Sequence, residues 1–351
     1  MIKHPIEITT QAIADFIQQK TGATLVTVEH LKRLSGGAIQ QNWAFDAMIE
    51  GGDMPGKLEG VLRADAPSGV AISHGRDDEF ALFKLMYDAG VCVPEPLWQG
   101  DEALFNVAFF IMRRVEGTAA AHRLAKDDSL GGDRRKLAQT LGRELAKIHA
   151  IRPPEPRLPF LEVPAKPAAA ILIERARAFL DQHPTPYPAL EWVLCWLEDT
   201  MPEQTQLSLC HRDFRTGNYM VDEQGLTGIL DWEFADWSDP LEDIGWFCAK
   251  CWRFGNDAAE AGGIGSREDF YQGYEGVSGQ PIPKDLVHYW EVMAHLNWAV
   301  IAIQQAERHN SGEELSLELA LTGHMVPKLE AEMLKMTLHV NPNTKKEVSD
   351  A

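Results

Sequence analysis

Four segments in the first third of the chain are rich in β-branched and aromatic residues: TLVTVEHLKRL from position 24, NWAFDAMI from 42, LEGVLRA from 58 and VAFFIMRRV from 107. Such runs predict strands, and the Gly-containing turns between the first three predict antiparallel hairpins. Between the third and fourth lies SHGRDDEFALFKLMYDAGV, whose apolar residues at 80, 82, 83, 85 and 86 predict a helix. Another helix opens the chain near residues 8–20, so the order reads helix, three strands, helix, strand.

Beyond RRVEG the pattern becomes helical. Residues 134–150, 168–183 and 188–200 carry apolar positions at helical spacing, as does DLVHYWEVMAHLNWAVIAIQQAERH, and the Pro-rich IRPPEPRLPFLEVPAKP joins the first two. The one strand-like interruption is LCHRDFRTGNYMVDEQGLTGILDWEFADWSDPLEDIGW, residues 209–246. The expected architecture is α+β and bilobal: a small antiparallel-sheet lobe over residues 1–113 and a larger, mainly helical lobe over 114–351, with a ligand cleft between them.

Composition narrows the function without naming it. The longest apolar stretches fall short of the roughly 20 residues that span a bilayer, and the N-terminus reads as an amphipathic helix, not a signal sequence. Five cysteines in 351 residues make no disulfide framework, which points to the cytoplasm. A formal net charge of -19 and the lack of a long basic run argue against nucleic-acid binding. The same acidity suits a solvated surface, or a cationic substrate.

HRDFRTGN carries the chemistry. Asp213 follows His211 by two residues and Asn218 follows Asp213 by five, the arrangement H-R-D-x-x-x-x-N of a kinase catalytic loop. YMVDEQGLTGIL then reads as two short strands around a Gly turn, which would bring Asp231 back beside Asn218 at the open end of the hairpin. A carboxylate that receives a hydroxyl proton, with an amide oxygen and a second carboxylate as hard ligands for Mg²⁺, is what phosphoryl transfer requires. Turn contacts and a strand end would explain each residue singly, but not all of them in register.

The stretch from CHRDF to DIGW resembles the aminoglycoside phosphotransferase and choline kinase superfamily, small-molecule kinases with the protein-kinase fold. It is most similar to the branch related to the kinase-like domain fused to some acyl-CoA dehydrogenases, and the similarity covers roughly residues 25–250. The resemblance implies ATP and Mg²⁺ as cofactors and a small hydroxyl-bearing molecule as acceptor. It implies Asp213 as catalytic base, His211 as support for the loop, and Asn218, Asp231 and Glu233 as the metal site. Asp239 and Asp243 match a family signature that braces the catalytic loop. In the first lobe, Ser35, Gly36 and Gly37 occupy the phosphate-covering turn. Arg63 stands where a lysine usually reaches the α- and β-phosphates, with Glu79 as its partner. The branch uses arginine here too, a planar fork in place of a point charge. FFIMRRVEG implies a hinge, with backbone near Arg113 and Val115 facing adenine.

Two other motifs fail on inspection. GGDMPGKL matches a P-loop spacing, yet Leu58 stands where a hydroxyl should meet Mg²⁺ and a strand follows, so a β-turn is expected. CAKC at 248–251 lacks a second ligand pair and reads as two buried small residues. For the acceptor, Asp236, Trp237, Glu291 and His295 are candidate contacts, and eight of the ten tryptophans lie after residue 190. A non-catalytic module retaining the fold would be expected to lose Asp213, Asn218 or Asp231. A protein kinase would carry an activation segment ending in A-P-E before DPLEDIGW.

Overall fold

Thr9 and Gly22 bound the first helix: the Thr9 hydroxyl accepts from Ala12 N at 3.2 Å, and Gly22 takes a left-handed φ of 65°. The computed structural model in which these contacts are seen describes residues 8–34, 40–65, 73–100, 102–203 and 206–338. The first part of the chain runs α1 (Thr10–Thr21), β1 (Leu25–Arg33), β2 (Gln40–Glu50), β3 (Gly56–Asp65), α2 (Arg76–Asp88), β4 (Pro96–Gly100), α3 (Glu102–Phe105) and β5 (Phe109–Arg113). Its five strands form one antiparallel sheet in the order β1-β2-β3-β5-β4. The expected hairpins are present, and Gly51 and Gly52, both at positive φ, turn β2 into β3, so GGDMPGKL is a hairpin turn. β4 was not expected from the sequence.

Strand alternation decides which side chains reach the cleft. Leu58, Leu62 and Ala64 of β3 pack with α1, whereas Val61 packs with α2 and the larger lobe. Arg63 shares the Val61 face, which carries a guanidinium toward the helical lobe.

The second part contains α4 (Ala121–Leu124), α5 (Arg134–His149), α6 (Ala168–Gln182), α7 (Pro188–Asp199), β6 (Ser208–Cys210), β7 (Tyr219–Val221), β8 (Leu226–Ile229), β9 (Asp236–Ser238) and α8 (Pro240–Cys248). A 3-10 turn, α9 (Arg267–Ser278), α10 (Lys284–Asn310), α11 (Leu317–Gly323) and α12 (Val326–Leu338) complete it. The short pairs β7-β8 and β6-β9 frame the catalytic loop. Gly117, at φ 109°, lets the linker cross β7: a Cβ there would lie 2.1 Å from the Val221 carbonyl oxygen. One apolar cluster joins Val61, Phe110 and Met112 of the sheet to Leu85 of α2 and to Leu145, Phe214 and Trp232 of the helical lobe. A second packs α6, α7, α10 and α12 together. No helix among the described residues is long and apolar enough to cross a membrane.

Candidate active site

The catalytic loop leaves β6 at Cys210 and is held from below by α8. Asp239 caps that helix, accepting from Leu241 N at 2.8 Å. One turn on, Asp243 receives the backbone N–H groups of His211 and Arg212, both at 2.7 Å, and lies 3.1 Å from His149 Nε2. Burial works to raise the Asp243 carboxyl, but the His149 contact and these donors hold it below the usual range. Arg212 can therefore keep a left-handed φ of 62°, a conformation that costs a non-glycine residue on the order of 1 kcal/mol. His211 donates from Nε2 to Leu230 O at 2.8 Å and accepts Asp213 N at Nδ1, 3.3 Å away, so one imidazole ties the loop to the end of β8.

This framework brings Asp213 and Asn218 together. The Asn218 amide donates to Asp213 Oδ2 at 2.5 Å and to the Asp213 carbonyl at 2.9 Å. Arg215 Nε and Trp246 Nε1 each donate to Asp213 Oδ1 at 3.0 Å. Burial pushes the Asp213 carboxyl up, Arg215 pulls against it, and the nearby Asp231 adds to the rise. The β7-β8 hairpin closes as its pattern implies, for Leu230 N donates to Asn218 O at 2.8 Å and Asp231 follows directly, at a left-handed φ of 66°.

Across the cleft, Arg63 meets Glu79 through Nε at 2.9 Å and Nη2 at 2.7 Å, and its Nη2 also reaches Asp231 Oδ1 at 2.6 Å. A single guanidinium thus links β3, α2 and the end of the hairpin. Burial works to raise the Asp231 carboxyl, but Arg63 prevails and holds it low. Glu233 has the opposite fate: burial, then the charge of Asp231, push its carboxyl up to about 8. Crowded oxygen donors of this kind suit a hard divalent cation. Because Asn218 directs Nδ2 to Asp213, it presents Oδ1 as a third oxygen donor.

The remaining predicted residues are distributed less favourably. Ser35, Gly36 and Gly37 lie outside the described residues. Arg113 uses its N–H on Glu95 O at 2.8 Å and its side chain on the Glu95 carboxylate at 2.7 Å. Arg114 N bonds Glu59 O at 2.8 Å, so among the described hinge residues Val115 shares with Glu116 N and Gly117 a backbone not bonded in this way. Three acceptor candidates lie in the interior, engaged with the protein itself. Trp237 is buried with Nε1 on Leu161 O, Glu291 is buried against Arg267 at 2.8 Å, and His295 is buried with Nδ1 on Glu291 O. α10 is covered on most sides through its middle turns, so helical spacing could not tell which face was open. Asp236 stays partly exposed, 3.6 Å from Arg212.

Residues that were not anticipated line the cleft beside Arg63 and Asp213. Arg76, 2% exposed, pairs with Glu79 beside Arg63 and also holds Asp65 at 2.9 Å. Its spacing of three residues from Glu79 was an available helical signal. Arg215 lies 4.8 Å over the Trp252 ring, and Trp252 packs on Trp246 and Trp298. Phe254 adjoins Trp252 and meets the His122 ring edge-on. An aromatic floor therefore borders Asp213.

The family model described as phosphotransferase enzyme family matches residues 30–279, a span that includes β2 to α9 and every part of this cleft. The chain belongs to that family. Among curated proteins it is 27% identical over 197 residues to acyl-CoA dehydrogenase family member 10 of Mus musculus, covering 54% of this chain and 18% of that protein. It is 28% identical over 180 residues to family member 11 of Gallus gallus, covering 49% of this chain and 22% of that one. The match thus takes in less than a quarter of either relative's length. Among solved structures, a candidate aminoglycoside phosphotransferase of Ralstonia eutropha aligns with a TM-score of 0.71 at 20% identity, covering 95% of this chain and all of that one (100%). A spectinomycin phosphotransferase, crystallised with ADP and spectinomycin, aligns at 0.61 and 14%, covering 94% and 99%. A choline/ethanolamine kinase family protein of Mesorhizobium loti aligns at 0.54 and 18%, covering 92% and 98%. At these identities the solved structures establish the bilobal kinase-like fold.

Proposed function

We propose that this member of the phosphotransferase family is an ATP- and magnesium-dependent small-molecule kinase that moves a γ-phosphoryl group to an acceptor hydroxyl. The observation that carries the reading is the convergence of Asp213, hydrogen-bonded to Asn218, with Asp231, which Arg63 and Glu79 join to the sheet lobe. In this reading residues 1–113 form the nucleotide lobe and 114–351 the catalytic and acceptor lobe. Asp213 accepts the hydroxyl proton and His211 holds the loop. Arg63, kept in place by Glu79, neutralises phosphate charge; Ser35, Gly36 and Gly37 offer backbone N–H groups to phosphates; Val115 meets the base.

Asn218, Asp231 and Glu233 would hold magnesium, which when bound neutralises phosphate oxygens. The acceptor approaches over the Trp246, Trp252 and Phe254 floor, and Asp236 lies at its margin. The spectinomycin phosphotransferase crystallised with ADP supports a nucleotide site in this fold.

A thermal-shift titration tests the metal assignment. ATP with magnesium should raise the melting temperature of the native chain more than ATP alone, and Asp231→Ala should respond equally to both. A metal-dependent shift retained in that variant would remove Asp231 from the site. An ATP-consumption screen over amino sugars, choline-like amines, macrolides and hydroxy acids should find an acceptor; a screen with no phosphorylated product counts against the kinase reading.

A further inference from the structure

A carboxylate that takes a proton must offer a lone pair in a fixed direction, and the two oxygens of Asp213 differ in this respect. Oδ1 accepts from both Trp246 Nε1 and Arg215 Nε, each at 3.0 Å, which uses both of its lone-pair directions. Oδ2 accepts from Asn218 Nδ2 and retains one.

The two donors on Oδ1 are themselves held. Trp246 lies in α8, the helix whose Asp243 anchors the backbone of the same loop, and its ring packs 5.2 Å from Trp252 and against Ala294 of α10. Beside it, Gly245 lets α8 approach α10 closely, since a Cβ there would lie 2.4 Å from Trp290 Cβ. Arg215 is stacked on Trp252. One helix thus fixes the loop backbone through Asp243 and the loop carboxylate through Trp246.

We infer that Trp246 is a positioning residue for phosphoryl transfer, holding Asp213 Oδ1 so that Oδ2 faces the acceptor hydroxyl and receives its proton. The inference rests on the kinase reading above. In the step it serves, the acceptor O–H bond breaks with its proton passing to Oδ2. The oxygen pair forms the new bond to the γ-phosphorus of ATP, and the bond to the bridging oxygen breaks with its electrons leaving on ADP.

Trp246→Phe keeps the ring and deletes the donor. It should lower kcat roughly tenfold, the scale of one hydrogen bond to a charged group, while KM for ATP and for the acceptor and the melting temperature stay near native. In an Asp213→Asn background the same change should cost nothing further, because Trp246 acts through Asp213; a structural role would cost the same in both backgrounds. A substrate-free measurement accompanies the kinetics. In the full chain labelled with ¹⁵N-tryptophan, the indole resonance absent from Trp246→Phe should move when Asp213 becomes Asn. Native turnover in Trp246→Phe, equal losses in both backgrounds, or an unmoved resonance overturns the assignment while leaving the kinase reading intact. A moved resonance in a chain that phosphorylates no acceptor overturns the kinase reading, and the catalytic role of Trp246 with it.

Discussion

Asp243 and Glu233 are both buried carboxylates of the same loop region, one below the catalytic loop and one in the cleft above it, and they are treated in opposite ways. Asp243 meets two backbone N–H groups and an imidazole, and it is held below the ordinary carboxylate range. Glu233 is crowded by burial and by Asp231, and its carboxyl is pushed up to about 8. Below the loop, charge is matched by groups the fold itself supplies. In the cleft, Glu79, Asp213, Asp231 and Glu233 gather near three guanidinium groups, those of Arg63, Arg76 and Arg215. The carboxylate below the loop is kept charged by its donors, whereas burial and the neighbouring Asp231 raise the Glu233 carboxyl in the cleft, and under the proposed kinase reading a bound cation would relieve that crowding.

The comparison can be broken first at Asp213. Asp213→Asn should lower turnover a hundredfold or more, the scale of a positioned base, with melting temperature and Mg-ATP binding near native. Near-normal turnover would move the base elsewhere and dissolve the distinction. Asp243→Ala should act on the other side, lowering unfolding stability by on the order of 3 kcal/mol in chemical denaturation, because it leaves two loop N–H groups and His149 without their acceptor. A stable Asp243→Ala chain would mean the brace is dispensable.

The smallest effect belongs to Asp239, whose carboxyl burial, with Glu242 nearby, raises to about 6. The folded chain keeps this proton up to about pH 6, while the unfolded chain releases it near the ordinary value. The stability it confers is therefore present in full below about pH 4 and is lost as pH rises through about 6. Asp239→Asn keeps a good helix cap and should flatten the dependence of melting temperature on pH across that window, gaining on the order of 1 kcal/mol at neutral pH. An unchanged slope would show that the carboxyl titrates alike in the folded and unfolded chains.

What could be read from the amino acids alone followed the distance over which the information was written. Asp213, Asn218 and Asp231 lie on one loop and hairpin, so their spacing implied the geometry that was found. β4 was missed because Pro94, Pro96 and Gly100 break its pattern, and a strand with prolines reads as a turn unless its neighbours are known. Trp246 and His149 reach the loop from α8 and α5, which no local spacing reveals. Glu291 and His295 show the converse. Their helical spacing was real, but α10 is buried on most sides through its middle turns, so a shared face was no sign of an open one.

The apolar cluster that joins Val61, Phe110 and Met112 to Leu145, Phe214 and Trp232 has a consequence for how the molecule comes apart. Neither lobe owns that interior. Heating should therefore dismantle both in one cooperative transition, and a protease cut in the linker would release no half able to stand alone. A sheet lobe and a helical lobe joined through one shared interior should behave, thermodynamically, as a single unit.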